Sequence, residues 1–185
     1  MHRTIFLPAI ACAIALGAAP AQADRGHDRF SAKFSGFEEV GALGAGQTGA
    51  ILSAGTATLD LDLDRNSQVL TYTLDFSGLG SNVTQSHIHF GKRHVGGGIM
   101  VFFCSNLANP PAGTPACPAN GGTVSGTITP ASVIGPTAQG VTPGNFDALV
   151  EALDSETAYG NIHTTNFPAG EIRGQIRHGR GHGHD

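Results

Sequence analysis

The strongest constraint on the fold is a strict alternation of apolar and polar residues on both sides of a short turn. Leucine or alanine occupies every second position from Ala57 to Leu63, with threonine and aspartate between them. After the polar turn Asp64–Ser67, a second alternating run extends from Leu70 to Phe76. Residues two apart share one face of a strand, so each run has an apolar face and a polar face. The pattern predicts an antiparallel β-hairpin that packs one face on a hydrophobic core.

Strand patterns elsewhere in the chain indicate that the whole domain is built from β-structure. One segment differs, because apolar residues between Asn145 and Leu153 recur at helical spacing and predict a short helix. Glycine is abundant, with 27 residues, and tryptophan is absent from the sequence, which fits short strands joined by many turns. We predict an all-β fold, an antiparallel Greek-key-like β-sandwich or barrel with one short helix. The further strands are expected at Phe30–Phe34, Ser86–Phe90, Ile99–Phe103, Thr123–Thr129, Ala158–Thr164 and Glu171–Ile176.

The two ends of the chain differ in composition from this domain. A basic start, an apolar run from Ile5 to Leu16 and small residues up to Ala23 are typical of a secretory signal peptide. From His178 onward the chain consists mainly of histidine, glycine and arginine, with no apolar face to bury. Such a tail could collect metal loosely or only improve solubility, and both interpretations stay open. We predict a signal peptide at 1–23, a β domain at 24–177 and a disordered His/Gly-rich tail at 178–185.

Charge and hydropathy limit the partners of the exported chain. Loss of Arg3 with the leader changes the formal net charge from −4 to −5, which disfavours nucleic acid and anionic membranes as partners. No second apolar run approaches the length of about 20 residues that a membrane-spanning helix needs. We therefore expect a secreted or periplasmic protein with no nucleic-acid partner and no transmembrane segment. The remaining length of about 160 residues suits a single domain.

The cysteines support the same compartment. Cys12 lies in the predicted leader, which leaves Cys104 and Cys117 on either side of a segment rich in proline, glycine and asparagine. In an oxidising compartment these two are expected to form one disulfide, which stabilises the fold by about 3 kcal/mol in the chain-entropy model. The alternative, a pair of thiolate metal ligands, has the wrong spacing for a zinc knuckle.

Two histidine motifs on predicted strands form the candidate site. His87 and His89 are two residues apart, so their side chains point to the same face. His163 lies in a distant strand and could complete a set of three imidazole ligands, which suit copper or zinc. The competing interpretation is a hydrogen-bonded polar cluster with a purely structural role. The sequence leaves both open because nothing in it places His163 beside the other two.

Other polar residues near these motifs are candidates for a supporting role. Glu39 and Asn161 could orient a histidine ring, and Glu39 or Glu171 could bind the ion directly. His94 could do so only if the glycine-rich loop from Gly91 to Gly98 folds back over the strand. The opposite interpretation places Glu171, together with Arg173, on the solvent-facing side of the last strand, and we consider this the expected arrangement.

Motifs of common enzyme classes are missing from the sequence. It has no nucleophile elbow of the G-x-S-x-G type, no H-E-x-x-H helix, no Walker loop and no dinucleotide-binding fingerprint. Neither Cys104 nor Cys117 has the context of a free nucleophilic thiol. Enzymatic activity therefore stays an open question, and a non-enzymatic role is favoured.

Several stretches together resemble the CHRD domain, a module named for chordin and found alone in many secreted bacterial proteins. They are Phe34–Val40, Ser86–Gly91, Tyr159–Thr164 and Phe167–Ile176, in the order that the family has them. The chain departs from the family at Gly41, where members usually carry proline, and in the long insert that contains both cysteines. The resemblance implies an all-β extracytoplasmic module and no particular reaction.

Three functional hypotheses follow. The first is a module that binds copper or zinc through His87, His89 and His163 and acts in metal handling or binding. The second is an interaction or adhesion module for another extracytoplasmic protein, in which the histidines only brace the fold. The third is a copper-dependent oxidoreductase, because the H-x-H strand and distant third histidine resemble those of copper-zinc superoxide dismutase. The sequence lacks a recognisable second metal set with a bridging histidine and an aspartate, which weakens the third.

Overall fold

The structure is a computed structural model that describes residues 27–41 and 49–179. The predicted signal peptide at 1–23 lies outside the described residues. So do residues 24–26 of the predicted β domain and residues 180–185 of the predicted tail. These parts of the predicted domain organisation stay predictions.

The described residues form nine strands and one α-helix, together with three short 3₁₀ turns. All strand pairs are antiparallel. The all-β prediction with a single short helix is therefore confirmed. The elements are β1 (His27–Ser35), β2 (Thr56–Asp64), β3 (Val69–Ser77), β4 (Val83–Phe90), β5 (Gly98–Ser105), β6 (Gly122–Ile128), α1 (Phe146–Asp154), β7 (Ala158–Thr164), β8 (Ile172–Gln175) and β9 (Arg177–His178).

The strands form one strongly curved sheet. Their order is β5-β4-β7-β8-β1-β2-β3-β6, and the short β9 pairs with β1 beside β8. The two end strands, β5 and β6, approach each other, so the sheet is a nearly closed barrel. Because β7 lies between β4 and β8, two segments that are far apart in sequence become direct neighbours. This neighbourhood positions the candidate site.

The predicted hairpin is present with the expected turn. In the register of β2 and β3, Leu59 lies opposite Leu74 and Leu63 lies opposite Leu70, and all four side chains are buried. Thr58 and Asp60, on the other face of β2, are exposed to solvent. The alternation in the sequence thus predicts correctly which face of the hairpin enters the core.

The predicted helix and disulfide are also present. Asn145 caps α1 by accepting a hydrogen bond from the Ala148 N–H at 3.1 Å, and the apolar face of the helix includes the buried residues Leu149 and Leu153. Cys104, in β5, is bonded to Cys117. The bridge ties β5 to the segment that connects it with β6.

Candidate metal centre

The three predicted histidine ligands converge. His87 and His89 lie in β4 and His163 lies in β7. One nitrogen from each ring can be chosen so that all three lie within 4.8 Å of one another. The ring centroids are 5.3 Å apart for His87 and His89, and 5.0 Å apart for His87 and His163. Among the described residues, this is the one group of three or more possible ligand residues that meets this distance criterion.

The register between β4 and β7 explains why the rings meet. His87 lies opposite Asn161, and Gln85 lies opposite His163. Directly opposite residues in an antiparallel pair project to the same face of the sheet. The histidines of both strands therefore share a face, and His163 is one step diagonally from His87.

That face is the one that points away from the core of the barrel. Ile88 and Ile162 alternate with the histidines and belong to the hydrophobic core. The histidine face is nevertheless covered, because every residue of β7 is buried. Loops supply the cover: the carbonyl of Gly97 contacts His89, and the carbonyl of Pro168 contacts His163. His87 is 0% exposed, and His89 and His163 are each 7% exposed.

Two of the rings have a defined orientation with one free nitrogen. Nε2 of His87 donates to Oε1 of Gln85 at 3.0 Å, and Nδ1 of His163 donates to the carbonyl of Pro168 at 2.9 Å. A neutral imidazole has one N–H, so the remaining nitrogen of each ring carries a lone pair. Those nitrogens, Nδ1 of His87 and Nε2 of His163, are buried and have no hydrogen-bond partner in the part of the chain that the structure describes. Buried polar atoms without a partner are costly to a fold.

His89 has an oxygen atom near each of its ring nitrogens. Nδ1 lies 2.9 Å from the Gly97 carbonyl, and Nε2 lies 3.0 Å from Oδ1 of Asn161. A neutral ring can donate to only one of them. Donation to Gly97, whose carbonyl is a fixed acceptor, leaves a lone pair on Nε2, the nitrogen that lies beside Asn161.

The site environment keeps the rings neutral. Burial, followed by the neighbouring imidazoles of His163 and His89, lowers the pKa of His87 to about 2. Burial also lowers the pKa of His89 to about 4, although the Gly97 carbonyl acts in the opposite direction. The pKa of His163 is lowered by burial as well. Neutral imidazole is the form that binds a metal ion, so no proton has to leave these rings at neutral pH.

Two of the four predicted supporting residues lie at the cluster. Asn161 contacts His89, as described above. Glu39 is buried beside Asn161, and its Oε1 accepts a hydrogen bond from the Val40 N–H at 2.8 Å. Burial raises the pKa of Glu39, while the Val40 N–H, the charge of Arg173 and the Asn161 amide lower it.

The other two predicted residues are engaged elsewhere. Glu171 accepts hydrogen bonds from Ser53 and Thr164 and from the Gly80 N–H. His94 is largely exposed, and its Nε2 lies 3.4 Å from a carboxylate oxygen of Glu38. The structure therefore does not bring either residue to the histidines.

A comparison with protein-family models gives one match, the CHRD domain, over residues 30–176. The chain belongs to the CHRD domain family. The matched region contains β1 from Phe30 onward, all strands from β2 to β8 and the three histidines. Searches of curated proteins and of solved structures give no significant match. In the described part of this CHRD domain, no helix has the length and apolar character needed to cross a membrane.

One expectation for the last strand of the CHRD domain was wrong. Arg173 and Glu171 do not face solvent, since they are 1% and 0% exposed. The guanidinium carbon of Arg173 lies 3.4 Å from the centroid of the Tyr159 ring, and its Nη2 donates to the carbonyls of Lys92 and Val95 at 3.0 Å each. The loop between β4 and β5 folds over the outer face of β7 and β8 and removes it from water.

Sequence reasoning also missed two residues that orient the cluster. Gln85 fixes the His87 ring, and Tyr159 stacks on His89 with the ring centroids 4.7 Å apart and an interplanar angle of 1°. A signal for Tyr159 was present, because Tyr159, Asn161 and His163 recur at period two in a strand whose other face is apolar. The Tyr159 hydroxyl accepts a hydrogen bond from the Gly97 N–H at 3.1 Å, so this ring also contacts the covering loop.

The lowered histidine pKa values predict that the metal-free CHRD domain loses stability in mild acid. In the unfolded chain His87 and His89 regain a pKa near 6.5, so the unfolded state binds more protons than the folded state below that pH. The free energy of unfolding should then fall by about 1.4 kcal/mol per pH unit for each of the two rings between pH 6.5 and about 4. Urea denaturation at pH 7.0, 6.0 and 5.0 measures this slope.

One variant serves as a control for this slope. Burial raises the pKa of Glu39, which acts in the opposite direction, so measurement in Glu39→Gln removes this opposing contribution. Equal stability of the metal-free Glu39→Gln protein at pH 7.0 and 5.0 would contradict the prediction.

Proposed function

We propose that this CHRD domain binds one transition-metal ion, copper or zinc, and acts in metal handling or binding outside the cytoplasm. The ligands are Nδ1 of His87, Nε2 of His89 and Nε2 of His163. The observation that carries the proposal is that two buried ring nitrogens from different strands have no hydrogen-bond partner among the described residues, and that both belong to histidines of one compact group of three. A purely structural polar cluster would be expected to pair these nitrogens with donors.

The surroundings of the rings support the proposal. Metal-binding histidines usually donate their second nitrogen to a carbonyl or carboxylate, which fixes the ring and raises its basicity. Here Gln85, Gly97 and Pro168 provide an acceptor oxygen for each ring in turn. Imidazole nitrogens bound about 2.0–2.1 Å from a tetrahedral ion lie roughly 3.4 Å apart, so the present nitrogen spacing, within 4.8 Å, would contract by up to about 1.4 Å on binding.

The extracytoplasmic location is supported by two features. The first residues have the pattern of a secretory signal peptide, and Cys104 is bonded to Cys117. Structural disulfides persist in oxidising compartments and are rare in the cytoplasm. A metal-binding module in that compartment needs no energy source or nucleotide site, and none of the corresponding motifs occurs in the sequence.

Metal analysis of purified protein tests the proposal. The histidine-rich tail could bind metal by itself. The tested protein therefore carries His182→Gln and His184→Gln and is called the tail-silenced chain. After loading with copper or zinc and removal of loose metal, we expect one equivalent per chain at pH 7. Addition of His163→Ala, or of the milder His163→Gln, should reduce this to near zero, because two ligands on one strand hold the ion poorly.

The matched control is His94→Gln in the same tail-silenced chain, since His94 is an exposed histidine outside the cluster. It should keep the full equivalent. Circular dichroism shows whether each variant is folded, so that loss of metal is not confused with loss of structure. Absence of stoichiometric metal from the folded tail-silenced chain would reject the proposal and favour an interaction module.

A further inference from the structure

We propose that the ion held by the histidine cluster is copper(I), and that the cluster selects this monovalent ion over zinc(II) and copper(II). This inference rests on the proposed metal-binding function and specifies its ligand. The neutral charge of the donors, the small exposure of the cluster and the positive group beside it favour a monovalent ion.

All donors at the cluster are neutral. The three imidazoles are uncharged, and every oxygen that is hydrogen-bonded to one of them belongs to a neutral amide or carbonyl group, including Oδ1 of Asn161 at 3.0 Å from Nε2 of His89. The carboxyl group of Glu39 contacts Asn161, which in turn contacts His89. Glu171 is held by three hydrogen bonds of its own. A divalent ion would therefore bring two uncompensated positive charges into a buried site, whereas a monovalent ion would bring one.

The coordination available does not match either common kind of zinc site. Structural zinc sites are closed and have four protein ligands, and catalytic zinc sites have three protein ligands and an open position for water. This cluster offers three imidazoles, yet its rings are almost completely covered. Phe102 meets His87 edge to face with centroids 4.3 Å apart, and Tyr159 covers the ring of His89. Copper(I), a closed-shell ion that is stable at low coordination number, needs neither a fourth protein ligand nor a bound hydroxide.

A buried cation next to the cluster strengthens the preference. Arg173 lies on the ring of Tyr159, which in turn stacks on His89, and its charge acts on His89. The carboxyl group of Glu39 can at most cancel the positive charge of Arg173. The two groups together therefore provide no net negative charge to stabilise a bound cation. Repulsion between Arg173 and a divalent ion is twice that for a monovalent ion at the same distance.

Competition titrations on the full chain carrying His182→Gln and His184→Gln test the inference. Copper(I) affinity is measured anaerobically against a coloured copper(I) chelator, and zinc(II) and copper(II) affinities are measured with chelators for those ions. We expect one equivalent of copper(I), bound at least about 100-fold more tightly than zinc(II). Tight zinc(II) or copper(II) binding with weaker copper(I) binding would overturn this inference and leave the proposed function intact. Failure of all three ions to bind would overturn the proposed function itself.

A nearly isosteric variant tests the physical cause. Asn161→Asp places a carboxylate beside Nε2 of His89 with almost no change in size. The selectivity for copper(I) over zinc(II) should then fall by about tenfold or more, since only a divalent ion gains strongly from the added charge. Glu39→Gln removes a charge from the same surroundings and should increase the selectivity. Unchanged selectivity in both folded variants would show that charge does not determine the choice of ion.

Discussion

Replacement of Glu171 by alanine is expected to lower the free energy of unfolding by about 4 kcal/mol. The carboxylate is fully buried, and its Oε1 accepts from Oγ of Ser53 at 2.6 Å and from the Gly80 N–H at 2.8 Å. Its Oε2 accepts from Oγ1 of Thr164 at 2.7 Å. Hydrogen bonds to a charged group contribute about 1.5–3 kcal/mol each, and removal of the acceptor leaves buried donors unpaired. Urea denaturation measures the loss.

The matched control for this prediction is Glu151→Ala on α1. Glu151 is exposed, so its removal should change stability by no more than about 0.5 kcal/mol. Glu171→Gln should lie between the two, because an amide retains one acceptor oxygen but also presents an NH₂ group to a donor. A loss below about 1 kcal/mol for Glu171→Ala would show that this buried carboxylate does not hold the three segments together.

Replacement of Arg173 by alanine is expected to weaken copper(I) binding about tenfold, because the loss of loop contacts outweighs the relief of charge repulsion, and to destabilise the fold by roughly 3 kcal/mol. Arg173 does not belong to the ligand set. It donates to the carbonyls of Lys92 and Val95, in the loop whose Gly97 carbonyl orients His89. Loss of Arg173 should release that loop, so the ring of His89 would be less well fixed. Metal titration measures the change in affinity, and limited proteolysis measures the release of the loop.

Arg177→Ala is the control for Arg173, since Arg177 is a nearby but exposed arginine on β9. It should leave affinity and protease resistance unchanged. Arg173→Lys keeps the positive charge but loses the planar guanidinium that lies on the Tyr159 ring, so it should recover little of the lost affinity. Unaltered metal affinity in a folded Arg173→Ala protein would mean that the loop does not position His89.

Local pattern was sufficient to predict the elements of the fold. In β2 and β3 the alternation of leucine with aspartate and threonine reports the buried face directly, and the spacing around Leu149 and Leu153 reports the helix. The projection of His87 and His89 to the same face follows from the same two-residue period of a strand. Each of these features depends on residues a few positions apart, so the sequence carries it without knowledge of the tertiary structure.

The remainder of the site depends on neighbours that local pattern does not specify. His163 reaches His87 because β7 inserts beside β4, a pairing between segments more than 70 residues apart. The burial of Arg173 was also not predictable from local pattern, because charged residues on a strand ordinarily face solvent. Here the loop around Val95 covers that face, and the arginine satisfies the loop carbonyls. Burial by a distant loop cannot be deduced from the alternation within one strand.

The most direct test of the central claim is a crystal structure of the metal-loaded, tail-silenced chain with diffraction data collected at the absorption edge of the metal. We predict one anomalous-scattering peak about 2.0–2.1 Å from Nδ1 of His87 and from Nε2 of both His89 and His163. An ordered histidine cluster without such a peak, with metal bound only elsewhere on the chain, would contradict the account.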